Sequence, residues 1–266
     1  MAELPPQPAC LVGRYFINKS NKFKTAMNKT IALFLIALLS INCSTTNNER
    51  SALNNKPKEG ILTGADQLSL YLPLLKGKRV GMLVNTTSII GAKSIVDSLR
   101  SLDVNIQRIF GPEHGFRANA SNGAHVADEV DPKTGIPIVS LYGTKRKPSK
   151  MDMDAIDIMI FDIQDVGCRF YTYINTLADI MEACAESNKA LIVLDRPNPN
   201  GYVDGPVLDM KLKSGIGKFP IPITHGMTIG EFALMVNGEG WLPNNLTCEI
   251  KVIDRKSTRL NSSHVD

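Results

Sequence analysis

DIMIFDIQDVGCRFYTYINTLADIMEACAESNKALIVLD, residues 157–195, is the stretch that decides the fold. Asp157 to Ile163 is a short apolar run of strand length, and Ala190 to Asp195 (ALIVLD) is another. Between them, Ile174 to Ser187 repeats its apolar residues at helical spacing. The alternation continues on the N-terminal side, with strands expected at Arg79–Asn85 (RVGMLVN), Val104–Phe110 and Ile136–Tyr142 (IPIVSLY). Helices are expected at Gln67–Lys76 and Ala92–Leu102, and a short one near Met151 after a Lys/Pro-rich turn. Strands that are apolar nearly throughout, alternating with helices, predict an α/β fold: a parallel sheet covered by helices on both faces. On the C-terminal side the texture changes at Pro197, where Pro and Gly recur as far as Pro222. A helix then opens at Thr228, with Glu231 three residues on completing a capping box, and runs to Asn237 before the strand-like Cys248–Ile253.

Both ends of the chain distort its composition. Thr30 to Ile41 (TIALFLIALLSI) is an apolar run preceded by Lys29 and followed almost at once by Cys43. It is too short to span a membrane, which takes about 20 apolar residues, and it has the layout of a secretion signal. A Cys followed by the polar Ser44-Thr45-Thr46-Asn47-Asn48 resembles a bacterial lipoprotein signal, in which Cys43 is lipidated and anchors the protein to the membrane. The expected location is the periplasmic side of the cell envelope. Met27-Asn28-Lys29 reads as the true start, so residues 1–43 comprise an upstream extension and the signal, and 44–60 a polar linker. Residues 254–266, containing DRKSTRLNSSH, lack apolar periodicity, look like the translation of a sequencing adapter, and are set apart from the fold.

The whole chain has 30 Lys and Arg against 26 Asp and Glu. The two ends hold eight of the former and three of the latter, so 22 and 23 remain between them, a formal net charge of −1. Basicity therefore belongs to the ends, and no nucleic-acid partner follows from it. Cys168, Cys184 and Cys248 are widely spaced and read as isolated buried thiols, neither a metal framework nor a disulfide scaffold.

In open parallel α/β sheets ligands bind beyond the carboxyl ends of the strands. Here those ends carry polar runs: Asn85-Thr86-Thr87, then Gly111 to Arg117 (GPEHGFR), then Asp162 to Gly167 with Arg169 to Tyr173, then Asp195 to Gly201 (DRPNPNG). No G-x-G-x-x-G or G-x-x-x-x-G-K-[ST] is present to cradle a phosphate, so no nucleotide cofactor is expected. There is no G-x-S-x-G nucleophile elbow. His114, His125 and His225 could join Asp162 or Glu113 around a metal, but no H-x-x-x-H pairing supports it, and no metal is assigned. Carboxylate chemistry remains. A glycosidase needs an acid held protonated at the leaving oxygen, and Glu113 follows a strand and a Pro, where partial burial would raise its pKa. Phe116, Tyr171 and Tyr173 offer apolar faces for sugar rings.

The strings GPEHGFR (111–117), IVSLYG (138–143), IFDIQDVGCRFYTY (160–173), VLDRPNPNG (193–201) and ITHGMTIGEFA (223–233) together resemble the NamZ-type exo-β-N-acetylmuramidases. The likeness runs from about Lys58 to Ile253. It implies a Rossmann-like sheet domain, assigned here to 61–210, and the start of a smaller C-terminal α/β domain at 211–253, with the active site in the cleft between them. It also implies removal of N-acetylmuramic acid from the non-reducing ends of peptidoglycan fragments, with Glu113 as the acid and His114 beside it. Ala118 stands where the family has Gly, and most of the C-terminal domain is absent. Muramic acid carries a lactyl carboxylate, for which Arg is a bidentate reader. Arg196 and Arg169, flanked by Asp195 and Asp165, are preferred over Arg117. Asp162 and Asp165 are candidates for a second carboxylate, and Asn85, Gln164, Tyr171, Tyr173, Asn198 and His225 complete the expected substrate-binding set. A metal-dependent hydrolase or esterase, and a non-catalytic sugar-binding lipoprotein, are the competing readings.

Overall fold

A computed structural model describes residues 60–112, 116, 129–143 and 145–257. The chain enters at β1 (Ile61–Leu62), runs through α1 (Leu68–Leu75) and reaches the sheet at β2 (Val80–Val84). A small hairpin, β3 (Ile89–Ile90) and β4 (Lys93–Ser94), precedes α2 (Ile95–Arg100) and β5 (Ile106–Gly111). Then come β6 (Glu129–Val130), β7 (Pro137–Ser140), α3 (Lys150–Asp154), β8 (Ile158–Asp162), α4 (Tyr173–Glu186) and β9 (Ala190–Leu194). The last elements are β10 (Val203–Asp204), β11 (Thr224–His225), α5 (Ile229–Gly238), β12 (Ile250–Ile253) and β13 (Lys256–Ser257).

Seven strands form the central sheet in the order β12-β9-β8-β2-β5-β7-β6. Every neighbouring pair is parallel except the short edge pair β6–β7. From β2 the chain winds outward through β5 to β7, returns to the other side of β2 as β8, and continues to β9 and β12. This is the doubly wound Rossmann order, and its winding direction reverses between β2 and β8. A crevice forms at that switch point beyond the strand carboxyl ends.

Burial explains why these runs are strands. All five residues of β2 and all five of β8 are buried, as expected when helices cover both faces. Successive side chains of β8 serve opposite cores: Met159 and Phe161 pack with α4 and α5 residues such as Leu177 and Phe232, whereas Ile158 and Ile160 join Tyr71, Ile95 and Leu99. Fully burying each such side chain contributes about 1.5–3 kcal/mol. Cys184 and Cys248 meet in the first of these cores, where their hydrogen bond and burial push the Cys184 thiol well up. The expectation of isolated thiols fails for this pair, because the segment leading into β12 returns Cys248 to the same core as Cys184, 64 residues earlier.

Three expectations change at the element level. The helix expected from Ala92 begins only at Ile95, because Gly91, at a φ of 59°, turns Lys93 and Ser94 back against Ile89 and Ile90. Residues 211–253 do not open a separate domain: β12 pairs in parallel with β9 through Ile250–Ile253, and α5 packs beside it. The Pro/Gly texture after Pro197 marks a long crossover within one sheet, not a boundary. Finally, Lys256–Ser257, set apart with the tail, pairs antiparallel with Ile61–Leu62; residues 258–266 lie outside the described residues.

Candidate active site

Asn85 follows β2 at the switch point and is buried. Its Oδ1 accepts from the Thr87 N–H at 2.9 Å and the Thr87 hydroxyl at 2.6 Å, an Asx turn that closes the loop on itself. The next residue, Ser88, accepts from the Asn85 N–H through its Oγ at 2.9 Å and donates to the Asp162 carbonyl. Thr87 Oγ1 accepts from the Gln164 N–H at 3.0 Å. The strand ends on either side of the crevice are thus tied together through short side chains. Beside them a cavity of 200 Å³ is lined by Asn85, Thr86, Ser88, Ile89, Ser94 and Phe116.

Asp162 and Arg196 meet at the floor of the crevice. Arg196 Nε donates to Oδ1 at 2.6 Å and Nη2 to Oδ2 at 3.0 Å, with the two side chains 6% and 0% exposed. Full burial pushes the Asp162 carboxyl up from its ordinary value, against the guanidinium, which favours the charged form. The carboxylate orienting Arg196 is therefore Asp162, not the expected Asp195. Asp195 instead accepts from the Gly230 N–H at 2.8 Å in the first turn of α5, and burial pushes its carboxyl up as well.

The runs after β8 and β9 hold one another. Gln164 Nε2 donates to the carbonyls of Asp165 (2.6 Å) and Pro197 (2.7 Å). Asn198 Nδ2 donates to Met227 O at 2.8 Å, and its Oδ1 accepts from Asn200 N–H at 2.8 Å. Gly167, at a φ of 72°, lies so close to Asn198 that a Cβ there would stand 2.2 Å from its Oδ1. Arg169 Nη1 donates to the carbonyls of Pro206 and Ile221, and its guanidinium lies 5.5 Å from the Phe170 ring centroid. These side chains build the rim by satisfying irregular backbone that has no ladder of its own.

A buried pair stands behind them. His225 Nε2 is 3.6 Å from Asp165 Oδ2, too long for a hydrogen bond. Asp165 Oδ2 accepts the Gly167 N–H at 2.7 Å, and His225 Nδ1 accepts the Met227 N–H at 3.3 Å. That acceptor role places the proton of a neutral His225 on Nε2. Asp165 Oδ1, Arg169 Nε and His225 Nε2 are buried without hydrogen-bond partners among the described residues.

Of the three rings expected to face sugar, Tyr171 is 38% exposed, whereas Phe116 and Tyr173 are buried. Tyr171 meets Tyr173 edge to face, 4.8 Å between centroids. Glu113, His114 and Arg117 lie outside the described residues. The loop carrying Glu113 leaves β5 at Gly111, whose carbonyl accepts from Leu141 N–H at 2.9 Å just beyond β7. The loop therefore starts one strand from the switch point. The loop after β7, not among the expected rim runs, places Arg146 on the wall of a cavity that Asn175 of α4 also lines. Its place at a strand carboxyl end was the available clue, masked by its Lys/Pro-rich composition.

A doubly wound sheet with a polar crevice at its switch point defines an α/β ligand-binding domain of the Rossmann type. Residues 80–264 match the family model described as exo-β-N-acetylmuramidase NamZ, N-terminal, and the chain belongs to that family. It is 43% identical over 230 residues to the peptidoglycan β-N-acetylmuramidase NamZ of Bacillus subtilis strain 168, covering 83% of this chain and 55% of that protein. A crystal structure of a DUF1343-family protein from Bacteroides fragilis superposes with a TM-score of 0.68 at 50% identity, covering 78% of this chain and 54% of the other. A second from the same organism gives 0.69 at 41% identity, covering 76% and 51%. The chain thus spans about half the length of these relatives.

Proposed function

We propose that the protein is an exo-acting glycoside hydrolase that releases N-acetylmuramic acid from the non-reducing ends of peptidoglycan fragments, with Glu113 as general acid. The observation that carries this reading is the origin of the GPEHG loop at Gly111, the carboxyl end of β5, beside the crevice between β2 and β8. An acid on that loop would lie where doubly wound sheets bind their ligands. The 43% identity to a peptidoglycan β-N-acetylmuramidase supplies the substrate class. Asp162 and Arg196 would keep the crevice floor rigid, and Tyr171 would offer a ring face to sugar. The protein would work in the periplasm, tethered by lipid on Cys43, its substrates being muramyl saccharides shed from the wall.

Release of N-acetylmuramic acid from defined muramyl saccharides by the full-length protein tests the reading. Replacing Glu113 with Gln keeps the side chain's shape but removes the transferable proton. It should lower kcat by a factor of 10² or more, the low end of what general acid catalysis contributes, while thermal unfolding stays unchanged. Undiminished turnover in E113Q would remove Glu113 from the chemistry. Turnover lost to a chelator and restored by a divalent ion would replace the reading with metal-assisted hydrolysis, and saccharide binding without turnover would make the protein a sugar-binding lipoprotein.

A further inference from the structure

At the carboxyl end of β7 lies a cavity of 330 Å³, separate from the one beside Asn85. Its walls include Tyr142 and Arg146 from the loop after β7, Thr172, Asn175 and Asp179 from the start of α4, and Gly215 from the long crossover. β7 is the parallel neighbour of β5, and the Leu141 N–H to Gly111 carbonyl bond joins the two strand ends. The end of β7, where the cavity opens, is therefore one strand spacing, roughly 4.8 Å, from the end of β5 at Gly111, after which Glu113 follows in the sequence.

The charged groups in and around it are mostly paired. Asp179 is paired with Lys218, Lys145 with Asp152 at 3.4 Å, and Lys147 with Glu182 and Glu186 at 2.7 and 2.8 Å. Arg146, the cation between those two lysines, is exposed and has no carboxylate partner among the described residues. The Thr172 side chain caps none of the first-turn N–H groups of α4, a 14-residue helix. Asn175, one turn in, is 7% exposed: its Nδ2 donates to Gly215 O at 2.9 Å, and its Oδ1 is buried with no donor among the described residues. A guanidinium and a helix N-terminus both attract an anion, and a buried acceptor without a donor asks for an N–H or O–H.

We infer that this cavity is the subsite that reads a substrate carboxylate, held by Arg146, together with a neighbouring N–H or O–H donor that satisfies Asn175. The inference rests on the exo-muramidase reading for its substrate and names the carboxylate reader within it. Arg169 Nη1 is committed to backbone carbonyls and Arg196 to Asp162, and both residues are buried, whereas Arg146 is an exposed cation on the cavity wall. In a muramyl saccharide the carboxylate has two sources, the free lactyl group of the sugar and the peptide stem. An N-acetylglucosamine end has neither, so the subsite would discriminate between the two amino sugars.

Calorimetric titration of the protein and its R146A and R146K variants with N-acetylmuramic acid, muramyl dipeptide and N-acetylglucosamine tests the inference. Arg146 is exposed, so its removal should leave thermal unfolding unchanged. R146A should weaken one of the two acidic ligands about tenfold, as expected for loss of a charge-assisted bidentate contact. R146K, keeping charge without the fork, should lie between, and N-acetylglucosamine should bind all three proteins alike. Loss confined to N-acetylmuramic acid identifies the lactyl carboxylate; loss confined to the dipeptide identifies the stem. Equal affinity of the parent and R146A for both acidic ligands, or an equal loss for N-acetylglucosamine, overturns the inference. Release of N-acetylmuramic acid by R146A at the parent's KM would also remove the subsite while leaving the exo-muramidase reading standing. Failure of the parent itself to release the sugar would remove that reading, and the titrations would still decide the subsite.

Discussion

Replacing Arg196 with Met tests whether the crevice floor is an ion pair whose members cannot be separated. Asp162 is fully buried, and its two oxygens take Arg196 Nε at 2.6 Å and Nη2 at 3.0 Å. Met fills much of the volume of the arginine stem but leaves the carboxylate without a cation. Removing one member of a buried pair costs about 3–5 kcal/mol. For a domain of 150–250 residues each kcal/mol lowers Tm by about 2–4 °C, so R196M should melt roughly 6–20 °C below the parent at pH 7.

The pH dependence follows from the same pair. Burial already raises the Asp162 carboxyl in the parent, and removing the guanidinium takes away the opposing influence. A carboxyl raised in the folded state is best tolerated when protonated. The stability linked to it is fully present below the ordinary carboxylate pKa of about 3.9 and is lost as pH rises through the raised folded value. The deficit of R196M should therefore be largest near neutrality and shrink as pH falls toward 4. Adding D162N removes the charge altogether and should recover most of the loss at pH 7. Denaturant unfolding of the parent, both single variants and the double variant, at pH 4.5 and 7, closes the cycle. In thermal unfolding at the same two pH values, an R196M Tm within 2 °C of the parent at pH 7, or a deficit that does not shrink on acidification, would refute the reasoning.

Two stability predictions concern the loops around this floor. Gly167→Ala combines a positive φ with a contact on Asn198 that leaves no room for Cβ; strain of this kind costs of order 1–3 kcal/mol, and a Tm unchanged in differential scanning calorimetry would count against the observed packing of the two loops. Thr228→Ala removes the Oγ1 that accepts from Glu231 N–H at 3.2 Å; it should cost about 1 kcal/mol, read as a fall of about 2–4 °C in Tm, and a neutral result would mean that the Asp195 contact to Gly230 caps α5 alone.

The parallel sheet could be read from the sequence because its strands are buried on both faces, so Val80–Val84 and Ile158–Asp162 appear as unbroken apolar runs. The capping box at Thr228 and Glu231 was legible for a similar reason, since both its bonds lie within one helical turn. What could not be read depends on partners distant in sequence. Nothing local assigns Arg196 to Asp162, 34 residues earlier, over the adjacent Asp195. Nor does local composition distinguish a linker from the crossover that returns the chain to β12, where pairing with β9 decides the matter.

The polar residues of the rim fall into two groups, and the division bears on where substrate recognition can reside. In the conspicuous strings, the side-chain amides of Gln164 and Asn198, Arg169 Nη1 and Arg196 Nε and Nη2 donate to carbonyls and a carboxylate of the protein itself. Irregular loops have no ladder to satisfy their carbonyls, and a buried carbonyl without a donor costs as much as a lost hydrogen bond. Among the described residues, the rim therefore uses many of its own polar side chains to hold its shape. Outside those strings, Arg146 stands on a cavity wall where Asp179 is already taken by Lys218. Polarity at a strand end thus locates the crevice, whereas the uncommitted hydrogen-bonding capacity around it indicates which residues can hold a substrate.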